Sequence, residues 1–237
     1  MSRRVLPALP LRTARAVLDV GTGTGGMLPP LRAAAPSAAL FGVDVAEGML
    51  ALAAEKGVGA HLVMGDAHAL PLLSACADVV LLAFVLHRVA DPAQALAETA
   101  RCLRPGGRVA TVTWGPGRFA TPVGTLWHDE MARAGAGDGQ RPAVDHHGLV
   151  DAPEKVAALM ARAGLSLERA WSEAYSERRD VDATMVALTW GEDRLDALEP
   201  SARDALLRRV RERLEALDPD DLTYHAIAVY AVGRKLR

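Results

Sequence analysis

A glycine-rich turn that follows an acidic residue is the part of the sequence best suited to bind a ligand. Asp19 lies near the end of an apolar run and precedes the turn Gly21-Thr22-Gly23-Thr24-Gly25-Gly26. Glycines there let the backbone approach a ligand closely and adopt dihedral angles that a Cβ forbids, beside the start of a helix. The spacing fits both Gly-x-Gly-x-Gly and the dinucleotide pattern Gly-x-Gly-x-x-Gly. The turn therefore predicts a nucleotide-like ligand and leaves its identity open.

The elements that position this turn alternate between strands and helices through the first half of the chain. Apolar runs predict strands at residues 16–20, 39–44, 61–64, 78–83 and 108–113. Helical patterns lie between them at 28–35, 46–56 and 92–103. Because apolar strands separated by helices form parallel sheets with both faces covered, we expect an α/β fold with a doubly wound, mostly parallel sheet.

The second half of the chain is less regular. Glycine, proline and histidine are frequent from 115 to 148, helices are predicted at 153–163, 181–190 and 201–217, and strands at 165–172 and 222–232. We interpret residues 1–237 as a single domain, with a cofactor-binding half at 1–114 and a substrate-side half at 115–237. Helical cap insertions are expected at about 115–152 and 177–220, where they would cover a substrate pocket.

Five segments of the first half, in this order, resemble the motifs of class I S-adenosylmethionine-dependent methyltransferases. They are Val17–Gly25, Phe41–Leu50, Gly65–Pro71, Ala83–Pro92 and Leu103–Arg108, and the resemblance spans roughly Val17 to Trp114. It implies a Rossmann-like sheet of seven strands and S-adenosylmethionine as the cofactor. Since only a short segment precedes the first strand, a lid over the site is expected to come from elsewhere or to be absent.

The resemblance also implies a role for each of three acids. Asp19 would lie near the amino group of the methionine part, and Asp44 would accept hydrogen bonds from both ribose hydroxyls. Asp66 would accept from the exocyclic amine of adenine, while Ala67 offers its backbone. The full set of cofactor-binding residues implied in this way is Asp19, Val20, Gly21, Thr22, Gly23, Gly25, Asp44, Val45, Met49, Gly65, Asp66, Ala67, Ala83 and Phe84.

Two other classes of protein share parts of this pattern. An NAD(P)-dependent oxidoreductase also uses a glycine-rich turn and an acid that binds ribose. The short-chain dehydrogenase form is disfavoured, because no tyrosine of the chain has a lysine four positions later. The second alternative is a non-catalytic nucleotide-binding protein, since these motifs only bind a cofactor.

Methyl transfer from a sulfonium is an in-line displacement, in which positioning of the acceptor supplies most of the rate. A general base helps when the acceptor is a hydroxyl that must lose its proton. His87 follows the fourth predicted strand and His128 the fifth, and ligands of open α/β sheets bind beyond the carboxyl ends of strands. We therefore take His87 and His128 as candidate catalytic residues. The alternative is that each is a pocket-wall histidine with one backbone hydrogen bond.

Composition narrows the partners. The net charge is −2, which gives no positive field to attract nucleic acid or an anionic membrane, and no apolar run reaches the length of a membrane span. The sequence has no ligand spacing typical of a metal site, including the run His128-Asp129-Glu130. It has no asparagine, which excludes the Asn-Pro-Pro-Tyr motif of enzymes that methylate adenine or glutamine nitrogen. We expect a cytoplasmic enzyme that methylates oxygen, nitrogen or carbon of a small molecule. The oligomeric state is left open.

Overall fold

Two compact units make up the chain. The computed structural model describes residues 1–117, 121–136, 146–189 and 192–236. Unit 1 comprises Met1–Pro116, Val144–Glu173 and Ala228–Arg237, and unit 2 comprises Gly117–Ala143 and Ala174–Ile227. The predicted cap region at 115–152 therefore falls partly in unit 1, and its residues 118–120 and 137–145 lie outside the described residues.

A seven-stranded sheet organises the fold. Its strands are β1 Ala16–Val20, β2 Ala39–Asp44, β3 His61–Met64, β4 Ala77–Ala83, β5 Leu103–Trp114, β6 Leu165–Glu177 and β7 Tyr224–Lys235. They lie in the order β3-β2-β1-β4-β5-β7-β6. The pairs from β3 to β5 are parallel, whereas β7 is antiparallel to β5. The predicted doubly wound, mostly parallel, seven-stranded sheet is confirmed.

The helices connect and cover these strands. They are α1 Leu28–Ala34, α2 Glu47–Ala54, α3 Pro92–Cys102, α4 Pro122–Arg133, α5 His147–Val150, α6 Pro153–Arg162, α7 Val181–Thr189 and α8 Pro200–Glu215, with 3-10 segments at Ser2–Ala8, Leu11–Thr13 and Asp193–Leu195. Five of the eight carry proline in the first turn, where a backbone N–H has no helical partner to lose. Within the residues that the structure describes, no helix is both long and apolar enough to cross a bilayer.

The central strands are buried on both faces. In β1, Leu18 and Val20 pack into the core on one face of the sheet, while Val17 packs into the core on the other. β4 repeats the pattern, with Val80 on the first face and Val79 on the second. Successive side chains of a strand point to opposite faces, so a strand covered on both sides reads as one continuous apolar run. The carboxyl ends of these rigid strands then carry the site.

Three sequence-based expectations in this region were wrong. β5 begins at Leu103 and not at 108. Leu103 pairs with Ala77 of β4 before the Pro105-Gly106-Gly107 stretch, and Arg108 pairs with Val79 after it, with a register shift between the two pairs. The segment 115–148 is not irregular throughout, since α4 occupies Pro122–Arg133 and Thr121 caps it by accepting from the N–H of Gly124 at 3.0 Å. β6 also continues to Glu177, well past 172.

Unit 2 has a core of its own. Leu126, Trp127 and Met131 of α4 lie in one apolar cluster with residues of α8, among them Leu206 and Val210. The predicted helix at 181–190 is α7, which ends at Thr189, and Trp190 lies outside the described residues.

Candidate functional site

Asp19 is a buried carboxylate inside β1. Its residue is 2% exposed, and the Thr22 hydroxyl donates to its Oδ2 at 2.7 Å. Burial raises the pKa of Asp19 from 3.8 to about 7; the Thr22 hydrogen bond acts in the opposite direction, and the charge of Asp44 acts in the same one. Because burial disfavours the ionised form of this carboxyl group, a cation placed beside it would strongly stabilise that form.

The glycine turn after β1 faces open space at Gly23 and at Gly26. Gly21, Gly23 and Gly25 have φ values of +67°, +53° and +75°. A Cβ at Gly21 would lie 2.4 Å from Val85 Cγ2, and one at Gly25 would lie 3.0 Å from Ala53 Cβ, so both positions are packed against the protein. A Cβ at Gly23 would meet no atom within 4 Å. A ligand can therefore approach the backbone at Gly23, as the fit of an adenosyl cofactor requires.

Asp44 joins the end of β2 to this turn. Its Oδ2 accepts the Gly23 N–H at 2.8 Å, and its Oδ1 accepts the Ala46 N–H at 3.0 Å. A carboxylate oxygen has two acceptor sites, so each oxygen keeps one for a ligand hydroxyl. Next to it, the apolar side chains of Val45 and Met49 are 73% and 37% exposed. The end of β2 thus offers hydrogen-bond acceptors beside an apolar surface.

Asp66 stands just beyond β3 and is fixed by a histidine. The backbone N–H of His68 donates to Asp66 Oδ1 at 2.9 Å, and His68 Nδ1 lies 2.6 Å from the same oxygen. These hydrogen bonds, the backbone one first, hold the pKa of Asp66 below its ordinary value. Gly65 is required by packing, because a Cβ there would lie 2.5 Å from Pro71 Cδ. The half-buried Ala67 completes this loop.

Three adjacent strands thus present their acids at one edge of the sheet. β3, β2 and β1 are neighbours and parallel, so Asp66, Asp44 and Asp19 follow or end strands that point the same way. Val20, which is 1% exposed, belongs to the core beneath the turn rather than to its surface. This edge is where open α/β sheets bind their ligands.

The end of β4 adds a strained backbone position to the same edge. Phe84 follows the half-buried Ala83 and has a φ of +60°, which is uncommon for a residue other than glycine. Its N–H donates to Val112 O at 2.7 Å, and its ring stacks on Trp114 with centroids 4.2 Å apart. Strain of this kind is often kept at functional sites, where surrounding contacts hold it in place.

The two candidate catalytic histidines lie in different units. His87 is 7% exposed in unit 1, and its carbonyl oxygen accepts the His146 N–H at 2.9 Å. His128 is exposed on α4 of unit 2. Its neighbour Glu130 has no exposed side-chain surface and binds Arg209 Nε at 2.8 Å and Arg213 at 2.8 Å. The run 128–130 therefore includes a structural ion-pair centre of unit 2.

His68 is a residue whose place at the site the sequence did not indicate. Its ring contacts the carboxylate of Asp66. The available signal was the spacing Asp66-x-His68, because Asp side chains commonly accept from the backbone two residues on.

The comparisons with known proteins agree with this fold. A family model described as a methyltransferase domain matches residues 18–111. Demethylmenaquinone methyltransferase from Thermus thermophilus is 32% identical over 177 residues, which are 70% of this chain and 80% of that enzyme. Malonyl-[acyl-carrier protein] O-methyltransferase from Methylococcus capsulatus is 39% identical over 107 residues, which are 44% of this chain and 39% of that enzyme. The solved structure of YcgJ from Bacillus subtilis has a TM-score of 0.62 at 20% identity, and the match covers 99% of this chain and 97% of that one.

Fold and site together define a methyltransferase of the Rossmann-like type. The chain belongs to the class I S-adenosylmethionine-dependent methyltransferases. It spans between 23% and 54% of the length of seven other curated relatives that it matches.

Proposed function

We propose that the chain transfers the methyl group of S-adenosylmethionine to a small-molecule acceptor at the sheet edge formed by β1 to β4. The observation that carries this proposal is the hydrogen bond from Gly23 N–H to Asp44, which joins an acid to a turn glycine that has a positive φ and faces open space. Asp19 lies on the neighbouring strand, close enough for the charge of Asp44 to raise its pKa. Two carboxylates and an open backbone position thus lie close together at the carboxyl ends of β1 and β2.

Each acid has a chemical match in the cofactor. The buried carboxylate of Asp19 would pair with the ammonium of the methionine part, since a cation offsets the cost of its burial. The remaining acceptor sites of Asp44 would take the ribose diol. Asp66 would accept from the exocyclic amine of adenine. The exposed apolar surfaces of Val45 and Met49 would contact the adenine ring.

The other proposed cofactor contacts are backbone and shape. Gly21, Thr22, Gly23 and Gly25 form the turn, with Val20 beneath it. Gly65, Ala67, Ala83 and Phe84 would form the walls of the cofactor site, at the loop after β3 and the end of β4. This set, carried over from the resemblance, is part of the proposal.

The catalytic work of the protein is mainly positioning. The bound sulfonium supplies an activated methyl carbon. Holding an acceptor in line with that carbon contributes roughly 7 to 11 kcal/mol. For a hydroxyl acceptor, His87 or His128 would accept the proton, a step worth about a hundredfold to ten-thousandfold in rate. Carbon or nitrogen acceptors that carry no such proton would leave both histidines without that task.

A small-molecule acceptor fits the sequence and the relatives. The net charge of −2 gives no positive field that would attract a nucleic acid. The chain has no asparagine, so it cannot contain the Asn-Pro-Pro-Tyr motif of enzymes that methylate adenine or glutamine nitrogen. The names of two relatives refer to demethylmenaquinone and to malonyl-[acyl-carrier protein], so acceptors of the quinol and acyl-carboxylate classes are the first to assay. A cytoplasmic location is part of the same proposal.

A ligand panel tests the cofactor before any acceptor is known. S-adenosylmethionine and its demethylated product should raise the melting temperature of the chain, because a ligand that binds the folded state stabilises that state. NADH should leave the melting temperature unchanged, because the proposed site does not bind it. Stabilisation by NADH alone would favour an oxidoreductase, and stabilisation by none would favour a non-catalytic protein. Transfer of a labelled methyl group is then measured with quinol, acyl-carboxylate, RNA and protein acceptors. Labelling of only the macromolecules would contradict the proposal.

A further inference from the structure

His68 connects the loop after β3 to the first turn of α3 while it holds the side chain of Asp66. Besides its two contacts with Asp66, its ring Nε2 lies 3.0 Å from the backbone nitrogen of Asp91. Gln94 Nε2 donates to the His68 carbonyl oxygen at 3.2 Å. Four hydrogen bonds therefore fix one residue between two elements of unit 1.

These contacts determine which ring nitrogen carries the proton. A backbone N–H can only donate, so Nε2 of His68 accepts from Asp91. The other nitrogen of a neutral imidazole is then the donor, and Nδ1–H points its proton at Asp66 Oδ1. Asp91 is itself held, because its carboxylate caps α3 by accepting from Ala93 N–H at 2.9 Å and Gln94 N–H at 3.0 Å. The helix start thus orients the histidine, and the histidine orients the acid.

We propose that His68 is a positioning residue that gives the site its selectivity for adenine, by fixing the carboxylate of Asp66. This inference rests on the proposed function, in which Asp66 accepts from the exocyclic amine. Both His68 donors bind Oδ1, which leaves Oδ2 for the amine. The Asp66 side chain is 58% exposed, so without the imidazole of His68 only the backbone N–H would hold it and it would occupy more rotamers in water. An acceptor fixed beforehand loses less entropy when the ligand binds.

The test compares two ligands that differ only at the exocyclic amine. They are S-adenosylhomocysteine and its analogue with purine riboside in place of adenosine, and their Kd values are measured by calorimetry on the full chain. The variants are Asp66→Ala, His68→Ala, His68→Asn and the double variant of 66 and 68 to alanine. Asparagine keeps an N–H donor near the place of Nδ1. The control is His61→Ala, which removes an exposed histidine of β3 whose ring contacts that of Phe41 in a tilted arrangement, with centroids 5.1 Å apart.

The ratio of the two Kd values is the deciding quantity. The unmodified chain should prefer the amine ligand about tenfold or more, His68→Ala should reduce the preference to about twofold, and His68→Asn should restore most of it. Asp66→Ala should abolish the preference, and the double variant should add nothing. His61→Ala should leave it unchanged.

Other outcomes separate the two proposals. If His68→Ala weakens both ligands equally and keeps the ratio, His68 has only a structural role and the inference is overturned while the proposed function stands. If the unmodified chain binds neither ligand, both proposals fall. Melting curves identify a variant that does not fold, and the His68→Asn ratio then decides, since a value like that of Asp66→Ala would refute the positioning role.

Discussion

Replacing Asp19 with asparagine removes a charge that the protein alone does not stabilise. The residue is 2% exposed, and burial is the main reason that its pKa is raised from 3.8 to about 7. Because the folded state binds the proton more tightly than the unfolded state, this group stabilises the fold below about pH 4 and loses that contribution as the pH rises through 7. The loss is about 4 kcal/mol over that window, from 1.36 kcal/mol for each pH unit.

Cofactor binding should show the opposite dependence on pH. The ammonium requires an ionised Asp19, so below pH 7 a proton must leave before the ion pair forms. Affinity for S-adenosylhomocysteine should rise by up to about tenfold per pH unit toward 7 and then level off. In Asp19→Asn that slope should vanish, and affinity at pH 7.5 should fall by about 2 to 4 kcal/mol, or roughly 30- to 1000-fold.

Calorimetry from pH 5.5 to 7.5, in buffers with different ionisation enthalpies, measures both affinity and protons released. At pH 6 the unmodified chain should release most of one proton on binding, and Asp19→Asn should release none. Thr22→Val is the matched variant: it removes the hydrogen bond that lowers the pKa of Asp19, so the midpoint of the slope should move to higher pH. Equal affinity and an equal slope in Asp19→Asn would refute the reasoning.

Three further predictions concern the turn and unit 2. Asp44→Ala should weaken S-adenosylhomocysteine binding by about 1.5 to 3 kcal/mol, because the ribose acceptors are lost; unchanged calorimetric affinity in a folded variant would contradict it. Gly21→Ala should lower the free energy of unfolding by about 2 to 3 kcal/mol, because the new Cβ would clash with Val85 just after β4. Gly23→Ala should lower it by about 1 kcal/mol and should mainly weaken cofactor binding. Equal effects of the two variants in denaturant melts would be inconsistent with the open space at Gly23. Glu130→Ala should cost about 2 to 4 kcal/mol, because three guanidinium groups, those of Arg133, Arg209 and Arg213, lose a buried partner. Arg133→Ala should cost about 0.5 kcal/mol, because it removes only one of these partners and its side chain is 67% exposed; a matching pair of melting curves would disprove the difference.

Glu130 also has a defined response to acid. Burial alone would raise its pKa, but hydrogen bonds from Arg209 and Arg213 outweigh burial and hold the pKa below the ordinary value. The stability that it contributes is therefore present above the ordinary pKa of glutamate and is lost as the pH falls through the lower, folded value. It acts in the opposite direction to Asp19, which loses its contribution as the pH rises.

The first half of the fold could be predicted because its signals are local. The predicted bounds of β2 and β3 agree with the structure, since each is an apolar run closed by polar or glycine residues. The first residue of β5 could not be predicted in this way, because glycines lie inside the strand. Glycine ends many strands, yet at Gly107 a Cβ would lie 2.9 Å from Arg104 O and 3.0 Å from Asp78 O, so glycine permits the close backbone approach that continues the strand.

The sequence predicts which residues lie near one another in the site only where the order of the strands alone determines it. Parallel neighbours bring the ends of β1 and β2 together, which the order of motifs indicates. The partner of His68 at Asp91 is 23 positions away, and Glu130 binds Arg209 across 79 positions, so no local pattern announces either contact. α4 was not predicted from the sequence. The helix start at Thr121-Pro122 lies in a segment rich in glycine, which is typical of loops.

The place of β7 in the sheet has a consequence for synthesis of the chain. β7 lies between β5 and β6, although residues 115–223 separate it from β5 in sequence. While the ribosome adds those residues, the outer backbone edge of β5 has no strand to bond with and is a template for pairing with other nascent chains. Synthesis of the seventh strand is thus required before this edge can close.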